Sequence, residues 1–169
     1  YSGEAQDQLR ASQPIVLDIY PRSLRKRYWT DITRTVVKGR APEEVKRMFD
    51  TVLETRNVCL DALHEGGLGS EMCSLWCDLL EKAGDPTIRG GKQIAKGFIH
   101  SLGHGVGLEI HEDPRMSEVY KFPLKAHNIV TVEPGLYDPD VGGVRIEDIV
   151  EITKTGCNNL TKMEIRLEI

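Results

Sequence analysis

The sequence predicts one domain of the α+β class, and three observations lead to this prediction. The chain has 169 residues, which is enough for one substantial core and too few for two large ones. Apolar residues alternate near the N-terminus, follow helical spacing in the next segment, and alternate again toward the C-terminus. Because strands and helices come in separate runs, the pattern favours α+β over alternating β-α-β units.

The first predicted elements are two antiparallel strands. Residues 15–20 carry isoleucine or leucine at every second position, which indicates a strand with one apolar face. Residues 31–37 predict its partner. The basic run at residues 22–27 between them resembles a nucleic-acid patch. A net charge of −4 and the position between two strands favour a solvated hairpin loop instead.

Two helices are predicted next. Pro42 opens the first, because proline is tolerated in the first turn, and Gly66-Gly67 ends it. Its core stripe consists of Val45, Met48, Phe49, Val52 and Cys59. The second begins near Ser70 and stops around Gly84. Its inward residues are Met72, Leu75, Trp76, Leu79 and Leu80.

The remaining residues favour strands separated by turns. The predicted strands are Gly97–Ser101, Leu108–His111, Asn128–Glu133, Gly143–Ile152 and Asn159–Ile169. Asp113-Pro114 and the glycine-rich residues 138–143 predict turns.

Composition limits the partners and the compartment. The four cysteines form no Cys-Xaa-Xaa-Cys pair, which favours reduced thiols in a cytoplasmic protein over a disulfide or zinc site. No apolar run approaches a membrane span and no signal peptide precedes the first strand. We therefore expect neither a membrane nor a nucleic acid as partner.

Residues 100–111 contain three of the five histidines, interleaved with Gly103, Gly105 and Gly107. Histidine is the commonest metal ligand and titrates near neutrality. Glycine allows the backbone to come close to a ligand held by the imidazoles. The combination predicts a metal-dependent active site.

Four carboxylates lie on predicted strands whose other face is apolar. They are Asp18, Asp31, Glu133 and Glu147. Any one of them alone fits an ordinary solvent-facing residue. If they converge with His104, their mutual repulsion requires cations, and two divalent ions balance four carboxylates. Oxygen-rich sites with one imidazole suit Mn²⁺, Co²⁺, Fe²⁺ or Zn²⁺. Spacing alone does not prove the convergence.

The order of these blocks resembles the pita-bread metallopeptidases. The blocks are Leu17-Asp18, residues 31–35 (Asp-Ile-Thr-Arg-Thr), residues 100–112, residues 132–137 (Val-Glu-Pro-Gly-Leu-Tyr) and residues 142–148. Within the family they resemble the proline-specific branch, Xaa-Pro dipeptidase (prolidase) and Xaa-Pro aminopeptidase. The resemblance runs from about Ile15 to the C-terminus.

The resemblance implies a role for each candidate residue. Asp18, Asp31, His104, Glu133 and Glu147 would hold two divalent metal ions, with Asp31 and Glu147 bridging them. Mn²⁺ or Co²⁺ is the first expectation, with Fe²⁺ or Zn²⁺ as alternatives. The catalytic residues would be Glu133 as proton shuttle, His111 beside the tetrahedral intermediate and His100 beside the scissile carbonyl. Arg145 would pair with the substrate carboxylate.

The resemblance also implies a pita-bread (creatinase/aminopeptidase-like) fold, a curved antiparallel sheet with helices on its outer face. Residues 1–169 correspond to the C-terminal portion of that catalytic domain, so we expect an incomplete fold, without the N-terminal half-domain and the domain before it. The interval from Asp18 to Asp31 is two residues longer than usual. An even insertion keeps both carboxylates on one face.

The implied function is hydrolysis of Xaa-Pro dipeptides by a hydroxide bridging two metal ions, in a protein that forms a homodimer when full-length. An Xaa-Pro aminopeptidase acting on longer peptides is the nearest alternative. A non-catalytic pita-bread module that binds proteins, or a creatinase-like metal-free hydrolase, would lack the ligands that this sequence keeps.

Overall fold

The computed structural model describes residues 8–169 and contains two helices and nine strands in that range. The helices are α1 (Glu43–Ala62) and α2 (Gly69–Lys82). The strands are β1 (Pro14–Ile19), β2 (Ile32–Val37), β3 (Gly103–Gly105), β4 (Glu112–Met116), β5 (Ile129–Val132), β6 (Gly135–Asp138), β7 (Gly142–Arg145), β8 (Asp148–Thr153) and β9 (Gly156–Asn159). The first residue, Tyr1, lies outside the described part.

The strands form one five-stranded antiparallel sheet and two hairpins, which confirms the α+β prediction. The sheet has the order β4-β3-β5-β8-β9, and the hairpins are β1-β2 and β6-β7. Val130 and Val132 of β5 share the core with residues of both helices. Thr131 lies between them, and its hydroxyl accepts a hydrogen bond from the His104 N–H. Alternation along β5 thus separates the core from the face that holds the site. Neither helix is long and apolar enough to span a bilayer.

The predicted hairpin and helices are confirmed. β1 and β2 pair with Asp18 opposite Thr33, and residues 22–27 form the exposed connection. The apolar face of β1 is half open, because Leu17 and Ile19 are 41% and 47% exposed. All five residues of the predicted α1 stripe are buried. This helix ends at Ala62, before the glycine pair, because the backbone is already extended at Leu63.

Several predicted strand boundaries are wrong. Residues 97–101 make only isolated bridges, and residues 108–111 bend before β4 begins at Glu112. The turn predicted at Asp113-Pro114 lies inside β4. β4 is an edge strand, and a proline that lacks an N–H is tolerated at an edge.

The C-terminal third also differs from its prediction. The single strand expected at 143–152 is divided into β7 and β8, with a break at Ile146 and Glu147. As a result Glu151 does not share a face with Glu147, and its carboxylate pairs with exposed His127 instead. β6 was not predicted. Beyond β9 the chain is irregular and hydrogen-bonds to the backbone of Val37.

A buried ion cluster fixes the main chain next to the break. Asp148 is 1% exposed, and its carboxylate pairs with Arg34 at 2.7 Å and with Arg56. The Arg34 guanidinium also donates to the Glu147 carbonyl oxygen at 2.7 Å. Strand β2 is thereby tied to the residue that the sequence singled out as a bridging acid.

We expect Asp148→Ala to lower the free energy of unfolding by about 3–5 kcal/mol, because two buried guanidinium groups lose their counterion. Urea denaturation of the metal-free protein measures this. Asp78→Ala is the matched control, because Asp78 pairs with Arg89 on the surface and is 62% exposed. The control should change stability by less than about 1 kcal/mol. Equal effects of the two substitutions would contradict a structural role for the buried cluster.

Candidate metal centre

His104 lies at the centre of β3, where its ring is held between neighbouring strands. A Cβ atom at Gly103 would lie 2.1 Å from the Thr131 carbonyl oxygen, and one at Gly105 would lie 2.6 Å from that of Asp113. These two glycines therefore allow β5 and β4 to approach β3. The sequence had linked them to close approach of a ligand, and the structure shows close approach of neighbouring strands instead.

Three of the predicted ligands meet in one buried cluster. Asp31, His104 and Glu147 each offer a ligand atom, and these atoms all lie within 4.8 Å of one another. The Glu133 carboxylate joins them, with Oε1 3.3 Å from His104 Nε2. Glu147 Oε2 also accepts a hydrogen bond from the Thr33 hydroxyl at 2.6 Å. Four side chains from β3, the end of β5, the start of β2 and the β7-β8 break thus face each other.

Asp18 lies at the edge of this cluster. It pairs across the hairpin with Thr33, and Asp31 is two residues before Thr33, so Asp18 and Asp31 share a face. The longer hairpin therefore keeps both carboxylates together, as predicted. The Asp18 carboxylate accepts a 2.5 Å hydrogen bond from Arg145 Nη2 and borders an open cleft.

The electrostatics of the cluster fit divalent cations. Burial, followed by the charge of Asp18, raises the pKa of Asp31 to about 6. Burial and the neighbouring carboxylates also raise the pKa values of Glu133 and Glu147. Carboxylates gathered without counter-charge resist ionisation, and bound cations remove that penalty. Oxygen donors with one imidazole suit Mn²⁺, Co²⁺, Fe²⁺ or Zn²⁺.

The two other histidines of the block border the cleft. His100 Nδ1 donates to the Ser101 carbonyl oxygen at 2.8 Å, so its Nε2 accepts from the Tyr137 hydroxyl at 3.0 Å. Burial lowers the pKa of His100 to about 4, which keeps the ring neutral. The His111 ring packs edge-on against His104, with centroids 4.3 Å apart.

Arg145 occupies the floor of the cleft and has three side-chain partners. Its guanidinium donates to Asp18, to the Thr33 hydroxyl at 3.1 Å and to the Tyr137 oxygen at 3.0 Å. The predicted pairing with a substrate carboxylate stays a prediction, because Asp18 holds the guanidinium in this structure.

The cleft encloses about 560 Å³, and the sequence did not identify all of its residues. Thr33 was detectable, since it follows Asp31 at the strand period of two. Tyr137 lies on the unpredicted strand β6, and Arg115 lies where a turn was expected. Arg115 has no printed carboxylate partner within residues 8–169, so its guanidinium is open to a ligand in the cleft.

Comparison with known proteins agrees with this geometry. Residues 1–154 match the model of metallopeptidase family M24. The chain belongs to this family. Membership implies a centre for divalent metal ions, which the acidic cluster around His104 suits.

Individual relatives indicate the branch of the M24 family. An Xaa-Pro dipeptidase of Pyrococcus furiosus is 40% identical over 153 residues, which is 90% of this chain and 41% of that protein. The chain thus spans about two-fifths of the length of the curated relatives it matches. The recognised likeness to the proline-specific pita-bread branch is confirmed.

Solved structures confirm the fold. The prolidase of Pyrococcus horikoshii has a TM-score of 0.84 and 36% identity over 96% of this chain and 44% of that one. The X-Pro aminopeptidase of Thermotoga maritima also has a TM-score of 0.84, with 33% identity over 95% and 43%. The pita-bread fold predicted from the motifs is therefore present here.

Proposed function

We propose that the protein is a metal-dependent peptidase that hydrolyses the bond before proline in Xaa-Pro dipeptides. The single observation that carries this proposal is the meeting of Asp31, His104 and Glu147 within 4.8 Å, at the base of a cleft. The named activities of the M24 relatives support the substrate class, since they include Xaa-Pro dipeptidase and prolidase.

The five predicted ligands would hold two divalent ions. Asp31 and Glu147 would be shared between the ions, Asp18 would complete one site, and His104 with Glu133 would complete the other. Mn²⁺ or Co²⁺ is the first choice, with Fe²⁺ or Zn²⁺ as alternatives. When bound, such a pair activates water near neutral pH and stabilises negative charge on the scissile carbonyl oxygen.

The side chains around the ligands would orient the peptide and move its protons. Glu133 borders the cleft and would pass a proton toward the leaving proline nitrogen. His111 would donate to the tetrahedral intermediate. His100, neutral and held by Ser101, would contact the substrate near the scissile carbonyl. If Asp18 turns toward a cation, Arg145 becomes free for the substrate carboxylate.

Arg115 supports dipeptides over longer substrates. In a dipeptide the free carboxylate lies one residue from the scissile bond, so a guanidinium on the cleft wall can reach it. We expect Arg115→Gln to raise KM for Xaa-Pro dipeptides by about tenfold or more, the loss of one charge-assisted hydrogen bond. Steady-state kinetics measure this, with Arg25→Gln on the exposed hairpin as control. An unchanged KM would exclude Arg115 from substrate binding.

The test of the proposal is a panel of peptides given to the metal-loaded, full-length protein. Cleavage of Xaa-Pro dipeptides alone is expected. Cleavage of longer Xaa-Pro peptides would instead favour the aminopeptidase alternative. No cleavage of either class would overturn the peptidase proposal and favour a binding module.

We further propose that residues 1–169 are the C-terminal portion of a larger pita-bread catalytic domain that forms a homodimer. The length of the matched relatives supports the first part, and so do the half-exposed apolar side chains of β1. Sedimentation of the full-length protein tests the second part, where a monomer would contradict it.

A further inference from the structure

A second cavity lies behind the cleft and contains two thiols. It encloses about 250 Å³ between α2, residues 88–91 and residues 117–119. Cys73 and Cys77, one turn apart on α2, both line it. Ser101 lines this cavity and also the cleft of the candidate metal centre, so one residue separates the two spaces.

The thiol pair is connected to the candidate site through residues 101 and 102. The Leu102 backbone N–H is directed at the Cys73 sulfur. The carbonyl oxygen of Leu102 accepts the Glu133 N–H at 2.9 Å, and that of Ser101 accepts His100 Nδ1 at 2.8 Å. A group added at the thiols would therefore press on the segment that holds Glu133 and His100.

Cys77 has the surroundings of a reactive thiol. A hydrogen bond from Cys73, with further help from Thr87 and the Arg89 cation, lowers the pKa of Cys77 to about 7. Burial instead raises the pKa values of Cys59, to about 12, and of Cys157. The thiolate is the nucleophilic form, so Cys77 should react before these two.

We propose that Cys77 is a modification site for low-molecular-mass disulfides and that its modification disables the neighbouring metal centre. The Cys77 thiolate attacks one sulfur of the reagent disulfide. A new S–S bond forms, the reagent S–S bond breaks, and a thiolate leaves. The adduct occupies the cavity and displaces residues 101 and 102. A thiol reductant reverses the exchange.

Methyl methanethiosulfonate is a suitable probe, because its methylthio group fits the cavity and methanesulfinate leaves. Peptide mapping should show Cys77 labelled at least about tenfold faster than Cys59 and Cys157 at neutral pH. Labelling should weaken Mn²⁺ binding by about tenfold, as expected when support around a ligand is lost. Reduction should restore the affinity. Cys77→Ser should resist this loss, and Cys157→Ser should not.

Two results would overturn the proposal: labelling of Cys77 no faster than Cys59, or full labelling of Cys77 with unchanged Mn²⁺ affinity. Any accompanying loss of hydrolysis rests on the proposed peptidase function. The labelling and Mn²⁺ measurements need no activity, so they still decide if the unlabelled protein cleaves no peptide.

Discussion

Glu147→Gln is expected to weaken Mn²⁺ binding by more than about 100-fold and to abolish hydrolysis, because it removes the charge of a shared ligand. Glu147 is 2% exposed and lies within 4.8 Å of the ligand atoms of Asp31 and His104. The Thr33 hydroxyl further fixes its carboxylate. Calorimetric titration with Mn²⁺ measures the affinity.

The fold should tolerate this change. Burial and neighbouring carboxylates raise the pKa of Glu147, so a neutral amide removes repulsion from the metal-free protein. Thermal unfolding without metal should therefore show no loss of stability. Glu151→Gln is the matched control, since Glu151 pairs with exposed His127. Unchanged Mn²⁺ affinity in Glu147→Gln would remove Glu147 from the metal centre.

Glu133→Gln is expected to lower kcat by about 10²–10⁴-fold, the typical contribution of a positioned acid–base group. Its carboxylate lies 3.3 Å from His104 and borders the cleft, where it can reach both water and substrate. Rates on Xaa-Pro dipeptides at saturating metal measure the effect. Glu109→Gln, on an exposed bend, should keep normal rates. Near-normal turnover in Glu133→Gln would exclude Glu133 from the mechanism.

Elements governed by local periodicity were predictable from the sequence. The α1 stripe gave the right buried face, because residues three and four apart share one side of a helix. The β1-β2 hairpin followed from alternation, and its register explains why a longer loop keeps Asp18 beside Asp31. The failures lie where glycine and proline occur inside strands. Pro114 lies within edge strand β4, and Gly135 begins β6.

The candidate site was only partly predictable. The motif order named five ligands, of which Asp31, His104, Glu133 and Glu147 meet closely in the fold. Their convergence depends on long-range contacts such as the one between Thr33 and Glu147, 114 residues apart. No local pattern encodes such a contact. The contacts of Arg145 with Asp18 and Tyr137 likewise required the folded arrangement.

The most direct test of the metal centre is equilibrium dialysis of the protein against Mn²⁺, followed by elemental analysis. Five ligands arranged around Asp31 and Glu147 predict two ions per chain. Binding of no ion, or saturation at one, would contradict a paired centre.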